Sequence, residues 1–327
     1  MNKYVKKGLS VVLAAGLIAS SFAGCAKINY VTEGAAQAIH EIKDGSWQNQ
    51  DEDAAGANSD ADVSVLEKSF EANTYGGVEF KDLNDVAAYY KEAYDYTKTL
   101  TAQYIDADGN EQTFYKLLGD EDMVLGGVMI DGKENSVINS IVPGIAGSLF
   151  SKNTYGLVPC NNRNPEMDNN LEDDTRKADH DFRTSDVTGD DILDANITDN
   201  GDGTITMVIQ PKAAQMSTRG DDSQGKFFEV LGDIGGVVGQ IDQITFTQGT
   251  PEENVIVEYK GSTATVKIDT KTKEILEADY NMIANVAVTH ASIAVIKDKS
   301  ASLTITYTNH YPASDEYLMT EKQLKRK

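Results

Sequence analysis

The chain has 327 residues, 29 Lys and Arg against 52 Asp and Glu, and 40% hydrophobic with 25% charged residues. This composition belongs to a globular protein of one large or two modest domains and excludes a disordered chain. Residues 1–24 carry Lys3, Lys6 and Lys7 and no acid, so the remainder holds 26 bases against 52 acids, a net charge of −26 with His neutral. Nucleic acid is excluded as a partner, because phosphates are gripped by clustered Lys and Arg, and adsorption to anionic headgroups or an anionic cell-wall polymer is disfavoured for the same reason.

The three lysines precede an apolar run at 9–18 and then Phe22-Ala23-Gly24-Cys25, the pattern of a secretory leader. The run is shorter than the ~18 to 20 residues of a bilayer span. The expectation is a leader over 1–24, and a lipidated N-terminus at Cys25 with an acidic tether over 25–62, whose GSWQNQDEDAAGANSDAD stretch is too polar to offset its ordering entropy. Cys160 is the other of two cysteines. With Cys25 acylated it has no disulfide partner, and a small buried hydrophobe is its bland role.

A single domain is expected over 63–312, followed by a C-terminal tail over 313–327. Asp82 reads as the cap of a helix that carries Val86, Tyr89, Tyr90, Ala93 and Tyr94 at helical spacing through about Thr97. Runs at 100–105 and 112–118 flank Asp106-Ala107-Asp108-Gly109-Asn110, a hairpin signal. An apolar run at 123–130 ends at Asp131-Gly132, and an amphipathic segment at 136–150 contains Pro143. Residues 151–190 lose periodicity, and the span 166–202 holds 13 acids against Arg176, Lys177 and Arg183. Such an irregular acidic stretch is either a functional loop or a boundary.

Residues 192–198 and 204–210 alternate around Asp199-Asn200-Gly201-Asp202-Gly203, the clearest hairpin of the chain. Residues 225–243 read as a helix with Phe227, Leu231, Ile234, Val238 and Ile241 on one face. Strands follow around 255–259, 264–268, 276–280 and 303–307, with turns at 260–262, 270–273 and 297–299. Short turns imply antiparallel neighbours. Between 285 and 296 both alternating faces are apolar or small, as in a strand covered on both sides. With no strand-helix-strand succession, the expected fold is α+β, an antiparallel and curved β-sheet meander with a few amphipathic helices on one face.

Catalytic and metal signals are sparse. Asp186-Val187-Thr188-Gly189-Asp190-Asp191 starts like a calcium loop but has Asp191 and Ile197 at the sixth and twelfth positions, and Asp199–Gly203 leads to Gln210. His180 stands between two aspartates in the acidic loop, where solvation is the bland account, and His290 falls on the Val286 and Val288 face of a strand, where a hydrogen-bonded core histidine is expected. Neither GxSxG, HExxH nor a phosphate loop occurs. No catalytic residue, metal or cofactor is assigned. The glycines at 232, 235, 236 and 239 suit either tight packing or a movable lid. Tyr89, Tyr90, Tyr94 and Tyr96 suit a core-facing helix better than a sugar platform.

The leader with Cys25, the acidic tether, the hairpins and the segment VEYKGSTATVKIDTKTKEILEADY together resemble a lipoprotein of Gram-positive bacteria, and the arrangement after Ala72 is similar to LolA-like and LppX-like lipid-carrier folds. The resemblance implies a curved antiparallel sheet that holds a lipid beneath helices, and no binding residue is carried over from it. The first expectation is a non-enzymatic, membrane-anchored extracytoplasmic protein. It would bind an apolar or lipid-like ligand, lined in part by Phe227, Leu231, Ile234 and Val238. The alternative is an interaction or structural module with a packed sheet that binds protein or glycan through 151–190. An extracytoplasmic hydrolase is third.

Overall fold

A computed structural model describes residues 63–116, 118–134, 139, 185–218, 220–231, 234–239, 244–293 and 296–327. In chain order these form β1 (Asn73–Tyr75), β2 (Val78–Phe80), helix α1 (Leu83–Thr99), β3 (Thr101–Ile105), β4 (Glu111–Tyr115), β5 (Asp120–Leu125), β6 (Met129–Ile130) and β7 (Lys133–Glu134). After the acidic segment come β8 (Ile192–Asp199), β9 (Thr204–Pro211), β10 (Ala214–Gln215), α2 (Ile234–Gly239), β11 (Ile244–Phe246), α3 (Pro251–Asn254), β12 (Val255–Tyr259) and β13 (Thr263–Asp269). The long strands β14 (Ile275–Ile293) and β15 (Ile296–Tyr311), the turn α4 (Asp315–Tyr317) and β16 (Lys325–Arg326) complete the chain. Cys25, His40, Trp47, Cys160, His180 and most of the 136–150 and 151–190 segments lie outside the described residues.

Every described strand pair is antiparallel. The main sheet runs β7-β6-β15-β14-β13-β9-β8 without closing on itself. At one face β14 presents Ala278, Tyr280, Met282, Ala284 and Val286, which meet Tyr311, Asn309, Tyr307, Ile305 and Leu303 of β15. The other face carries Asn281, Thr306, Thr308, Thr265 and Lys267, so one side packs and the other meets water over the near half of the sheet.

The expected hairpin at Asp199–Gly203 joins β8 to β9, with Gly201 and Gly203 at positive φ. The helix beginning at Asp82 also forms. The Asp82 carboxylate accepts hydrogen bonds from the amides of Asn84 and Asp85, and Val86, Ala87, Tyr89, Tyr90, Ala93 and Tyr94 are buried along one stripe.

Several expectations are corrected. The segment 260–262 makes no hairpin. Tyr259 pairs with Ala284 and Thr263 with Asn281, so β12 and β13 run end to end along the same edge of β14. Gly261 takes φ 73° in the break, and Ser262 Oγ accepts the Ile283 amide there. β11 extends the same track, pairing Ile244 with Ile293. The strand expected at 276–280 is the start of the 19-residue β14. The reversal expected at 297–299 falls between Ile293 and Ile296 instead, and Asp298, at φ 50°, lies inside β15 beside register shifts. Residues 313–327, expected as a tail, fold back: Lys325 and Arg326 pair with β3, and Ala313, Leu318 and Leu324 are buried with Tyr104 and Leu118 in a second core cluster.

The first described residues, from Val63 to Phe70, are held by the buried carboxylate of Asp194. Asp194 accepts hydrogen bonds from Ser64 Oγ (2.5 Å) and the Phe70 amide (3.0 Å), while Gln210 Oε1 accepts from the Val65 amide. Burial alone would raise the Asp194 pKa, but the hydrogen bonds from Ser64, Phe70, Ser69 and Ala195 outweigh it and hold it below the ordinary value. A lowered folded-state value contributes stability above the unfolded value of about 3.9, and that contribution disappears as pH falls through the folded one. Asp194→Ala is expected to cost about 1–3 kcal/mol at pH 7 by urea unfolding, with the difference from wild type shrinking below about pH 4. A pH-independent difference would contradict this role.

Candidate functional site

The apolar face of the sheet is occupied unevenly. At its near half α1 lies across β14. Tyr90 Oη and Tyr280 Oη are 2.8 Å apart in the core, and Thr97 Oγ1 accepts the Ile275 amide at 2.8 Å. Burial, reinforced by the neighbouring Tyr280, pushes the Tyr90 phenol well above its ordinary range; burial raises Tyr280 as well, so the pair stays neutral. Tyr94, Phe227 and Phe228 fill the space around them, with the Tyr90 ring 5.3 Å from Phe227 and 5.8 Å from Tyr94. Aromatic contacts at these distances leave a packed interior.

Phe227 is carried there by a turn and not by the expected helix over 225–243. Asp222 Oδ1 accepts from Ser217 Oγ, the Gln224 amide and the Gly225 amide, and a Cβ at Gly225 would lie 1.9 Å from the Thr218 carbonyl oxygen. Asp222 thus caps a single turn, in which the Lys226 amide donates to the Asp222 carbonyl and the Phe228 amide to the Gln224 carbonyl, and the close approach at Gly225 closes it against Thr218. Lys226 is drawn to buried Asp191, 3.1 Å from both of its carboxylate oxygens, which sends Phe227 and Phe228 inward. Among the described residues of 225–243, the helix is α2, and Ile241 lies outside them. Ile234 and Val238 of α2 are 4% and 7% exposed within the main core. Three of the four residues expected to line a ligand site, Phe227, Ile234 and Val238, are therefore built into the core. Leu231 is different: it is half-buried at the core's margin, its amide donating to Tyr259 Oη at 2.9 Å.

Beyond α1 the same face is only half-covered. Met123, Leu231, Ile244, Phe246, Val288, Leu303 and Tyr307 pack against the core while keeping partial exposure. Register places Leu303 opposite Val286, Tyr307 opposite both Met282 and Met123, and Val288 opposite Val255, so Met123, Tyr307, Leu303 and Val288 share one apolar face across β5, β15, β14 and β12. From Ala301 to Tyr307 this band extends roughly 20 Å at ~3.3 Å per residue. The sequence pattern identifies these as inward residues, but not that α1 stops short of them.

One end of the band is polar. Two positions along β5 from Met123 stands Glu121, 5% exposed, and two positions along β15 from Tyr307 stands Asn309, 1% exposed; the two are register partners. Neither amide atom of Asn309 has a hydrogen-bond partner among the described residues, nor do the buried hydroxyls of Tyr311 and Tyr317. Nothing in the periodicity of the sequence distinguishes Asn309 from a surface asparagine.

Other candidate chemistry resolves into structure. Asp199 accepts the Gly76 and Gly201 amides and Asp202 accepts from Thr204, so the carboxylates of that hairpin are committed to its turn. Asp191 pairs with Lys226 and receives the Thr188 amide and hydroxyl. His290, expected in the core, is turned out by the register shift after Val288; it takes φ 50°, stays half-exposed, and places Nδ1 2.9 Å from Asp298 Oδ1. Tyr89, Tyr90 and Tyr94 are core, whereas Tyr96 is 40% exposed. Among the described residues no cluster of three or more His, Cys, Asp or Glu side chains is placed to hold a metal, and no helix is long and apolar enough to cross a membrane.

Comparison with protein-family models, curated proteins and solved structures returns no match to this chain. The geometry of the apolar face is therefore the ground on which function is argued.

The glycines of α2 are explained by contact. A Cβ at Gly235 would lie 3.0 Å from Glu252 Cα, and one at Gly239 would lie 2.8 Å from Pro251 Cγ. In an open helix Gly→Ala would stabilise by about 1 kcal/mol. Here Gly235→Ala is expected to destabilise by about 1–3 kcal/mol, because the obstructing atom is backbone. Urea unfolding decides, and a gain in stability would mean that α2 is free to move off α3.

Proposed function

We propose that this is a membrane-anchored extracytoplasmic lipoprotein, acylated at Cys25 and non-enzymatic, that binds an apolar or lipid-like ligand on the far half of its antiparallel sheet. The single observation that supports the reading most is the half-buried band of Met123, Leu231, Val288, Leu303 and Tyr307, continuous with the core yet outside the cover of α1. Half-buried apolar side chains continuous with the core are where a contact removes further apolar surface from water. Breaks in pairing at 126–128, opposite 303–304, and at 260–262, opposite 282–283, give the sheet places to bend toward that side. An apolar tail laid along the band would remove those side chains from water at about 25 cal/mol per Å2. The acidic tether over 25–62 would hold the domain off the bilayer while keeping it near its ligand.

A second reading, an interaction module with a packed sheet, is favoured by the burial of Phe227, Ile234 and Val238 in the core. The two separate by native mass spectrometry of the chain from Ala26 onward, which contains every described contact, purified from its own or a related host with lipid extraction of what co-purifies. The wild-type chain is expected to carry stoichiometric acyl lipid. Leu303→Asp is expected to lose it by about tenfold or more, since a charge would enter the band. Thr306→Asp, which adds the same charge on the polar face, is expected to keep it. Folded protein that is empty and refuses added lipids would overturn the carrier reading in favour of the module.

A further inference from the structure

We propose that Met216 is a site of reversible oxidation: a peroxide converts its thioether to the sulfoxide, predominantly as one of the two epimers, and the change opens the pairing of β10 with β12. This goes beyond the ligand reading and stands without it.

The first observation is the backbone around Met216. Ala214 and Gln215 pair with Tyr259 and Glu258, which makes Met216 the next partner of Val257, and its amide donates to the Val257 carbonyl at 2.8 Å. In an antiparallel ladder the return bond of such a pair runs from the Val257 amide to the carbonyl of Met216. Here Met216 takes φ 48°, a left-handed conformation uncommon for a residue with a side chain, and the Val257 amide donates to Met216 Sδ at 3.3 Å in place of a carbonyl. A thioether is a weak acceptor, so the last rung of this pairing is closed by the weakest acceptor a side chain offers.

The second observation is access. Met216 is 37% exposed, while Met207 and Met282 are buried in the main core. The residue after it turns inward: Ser217 is buried, and its hydroxyl donates to Asp222 Oδ1 at 2.6 Å. The sulfur therefore stands at the surface on a backbone fixed from both sides, open to a small oxidant.

The third observation is direction. A thioether sulfur carries two lone pairs, one on each side of its C–S–C plane, and oxygen added to one or the other gives one or the other sulfoxide epimer. At Met216 the Val257 N–H occupies one side. The lone pair on the other side attacks an oxygen of hydrogen peroxide, the O–O bond breaks, and the departing oxygen leaves as water after taking the proton of the transferred one. Sulfur loses two electrons and the peroxide gains them. A sulfoxide reductase that supplies two thiols returns the thioether, with a disulfide and water as products. The new oxygen points away from the strand, and the electron-poor sulfur left facing Val257 is a still poorer acceptor, so the rung opens. β10 has two residues and leads into the Asp222 turn that delivers Phe227 and Phe228 to the core, which makes this rung a place where an oxidant at the surface reaches the interior.

The test treats the chain from Ala26 onward with hydrogen peroxide at neutral pH, folded and in urea, and maps each methionine by mass spectrometry, resolving the epimers with two reductases of opposite stereospecificity. In the folded chain Met216 is expected to oxidise within about threefold of the rate of Met319, which is 55% exposed, and about tenfold or more faster than Met207 and Met282. Its epimers are expected at about five to one or more in the folded chain and at about one to one in urea. Hydrogen exchange of the Val257 amide is expected to accelerate by about fivefold or more on oxidation and to slow again after enzymatic reduction. Met216→Leu, which keeps the volume and removes the sulfur, is expected to show the faster exchange before peroxide and no further change after it. Even epimers in the folded chain, protection of Met216 as complete as that of Met207, or Val257 exchange that oxidation leaves unchanged would each overturn the proposal.

Discussion

The ladder between β14 and β15 is the constraint on which the remainder of the structure depends. It pairs Ala278 with Tyr311 at one end and runs in unbroken register to Val288 with Ala301, and over that length its period of two assigns each side chain to one of two faces. The other strands of the main sheet take their register from it: β11, β12 and β13 along the second edge of β14, β5 and β6 along the second edge of β15, and β10, β7, β9 and β8 through β12, β6 and β13. Because the face is fixed over so long a ladder, Glu121 and Asn309 cannot leave the apolar side without turning Met123, Leu125, Ile305 and Tyr307 into water. Their burial is thus imposed by the apolar residues around them. The buried Asn309 amide, unpartnered among the described residues, is held in place by its apolar neighbours.

The far half of this ladder is protected on the opposite face as well. Thr304 Oγ1 donates to Asn285 Oδ1 and Thr289 Oγ1 to Asn254 Oδ1, and Asn285, Ala287, Ser302 and Thr304 are buried. On the face that α1 packs, the half-buried apolar side chains Met123, Val288, Leu303 and Tyr307 form a band beyond α1. α1 cannot slide to cover it, being fixed by the Asp82 cap, by the Tyr90–Tyr280 hydrogen bond and by the Thr97 contact with β14. A packed near half and a half-covered far half give the molecule a rigid platform with one open section, the arrangement that a binding site on a strand scaffold requires.

Local signals in the sequence carried most of the elements. Asp82, the Asp-Gly turn at 108–109 and the Asp199–Gly203 turn all act within a few residues, and each forms the helix start or hairpin that its chemistry dictates. The failures are long-range. Lys260-Gly261-Ser262 has the composition of a hairpin turn, but the free edge of β14 captures the strands on both sides of it and turns it into a break in one extended track. The helical pattern over 225–231 begins as a capped turn at Asp222, and Lys226, held by buried Asp191 35 residues away, turns Phe227 and Phe228 into the core. Of the site, Leu231 was legible as an apolar residue on a patterned face. Leu303 and Tyr307 were legible only as inward strand residues, and Asn309 was silent, because its isolation is a property of its neighbours.

The measurement that tests the central claim most directly is photo-crosslinking with a monoacylglycerol that carries a diazirine near the end of its tail, followed by peptide mapping of the labelled chain. If the far half of the apolar face holds the tail, label should fall on Met123, Val288, Leu303 and Leu231 and be displaced by unlabelled monooleoylglycerol. Label confined to the polar face around Thr306 and Thr308, or label that no competitor displaces, would contradict the account.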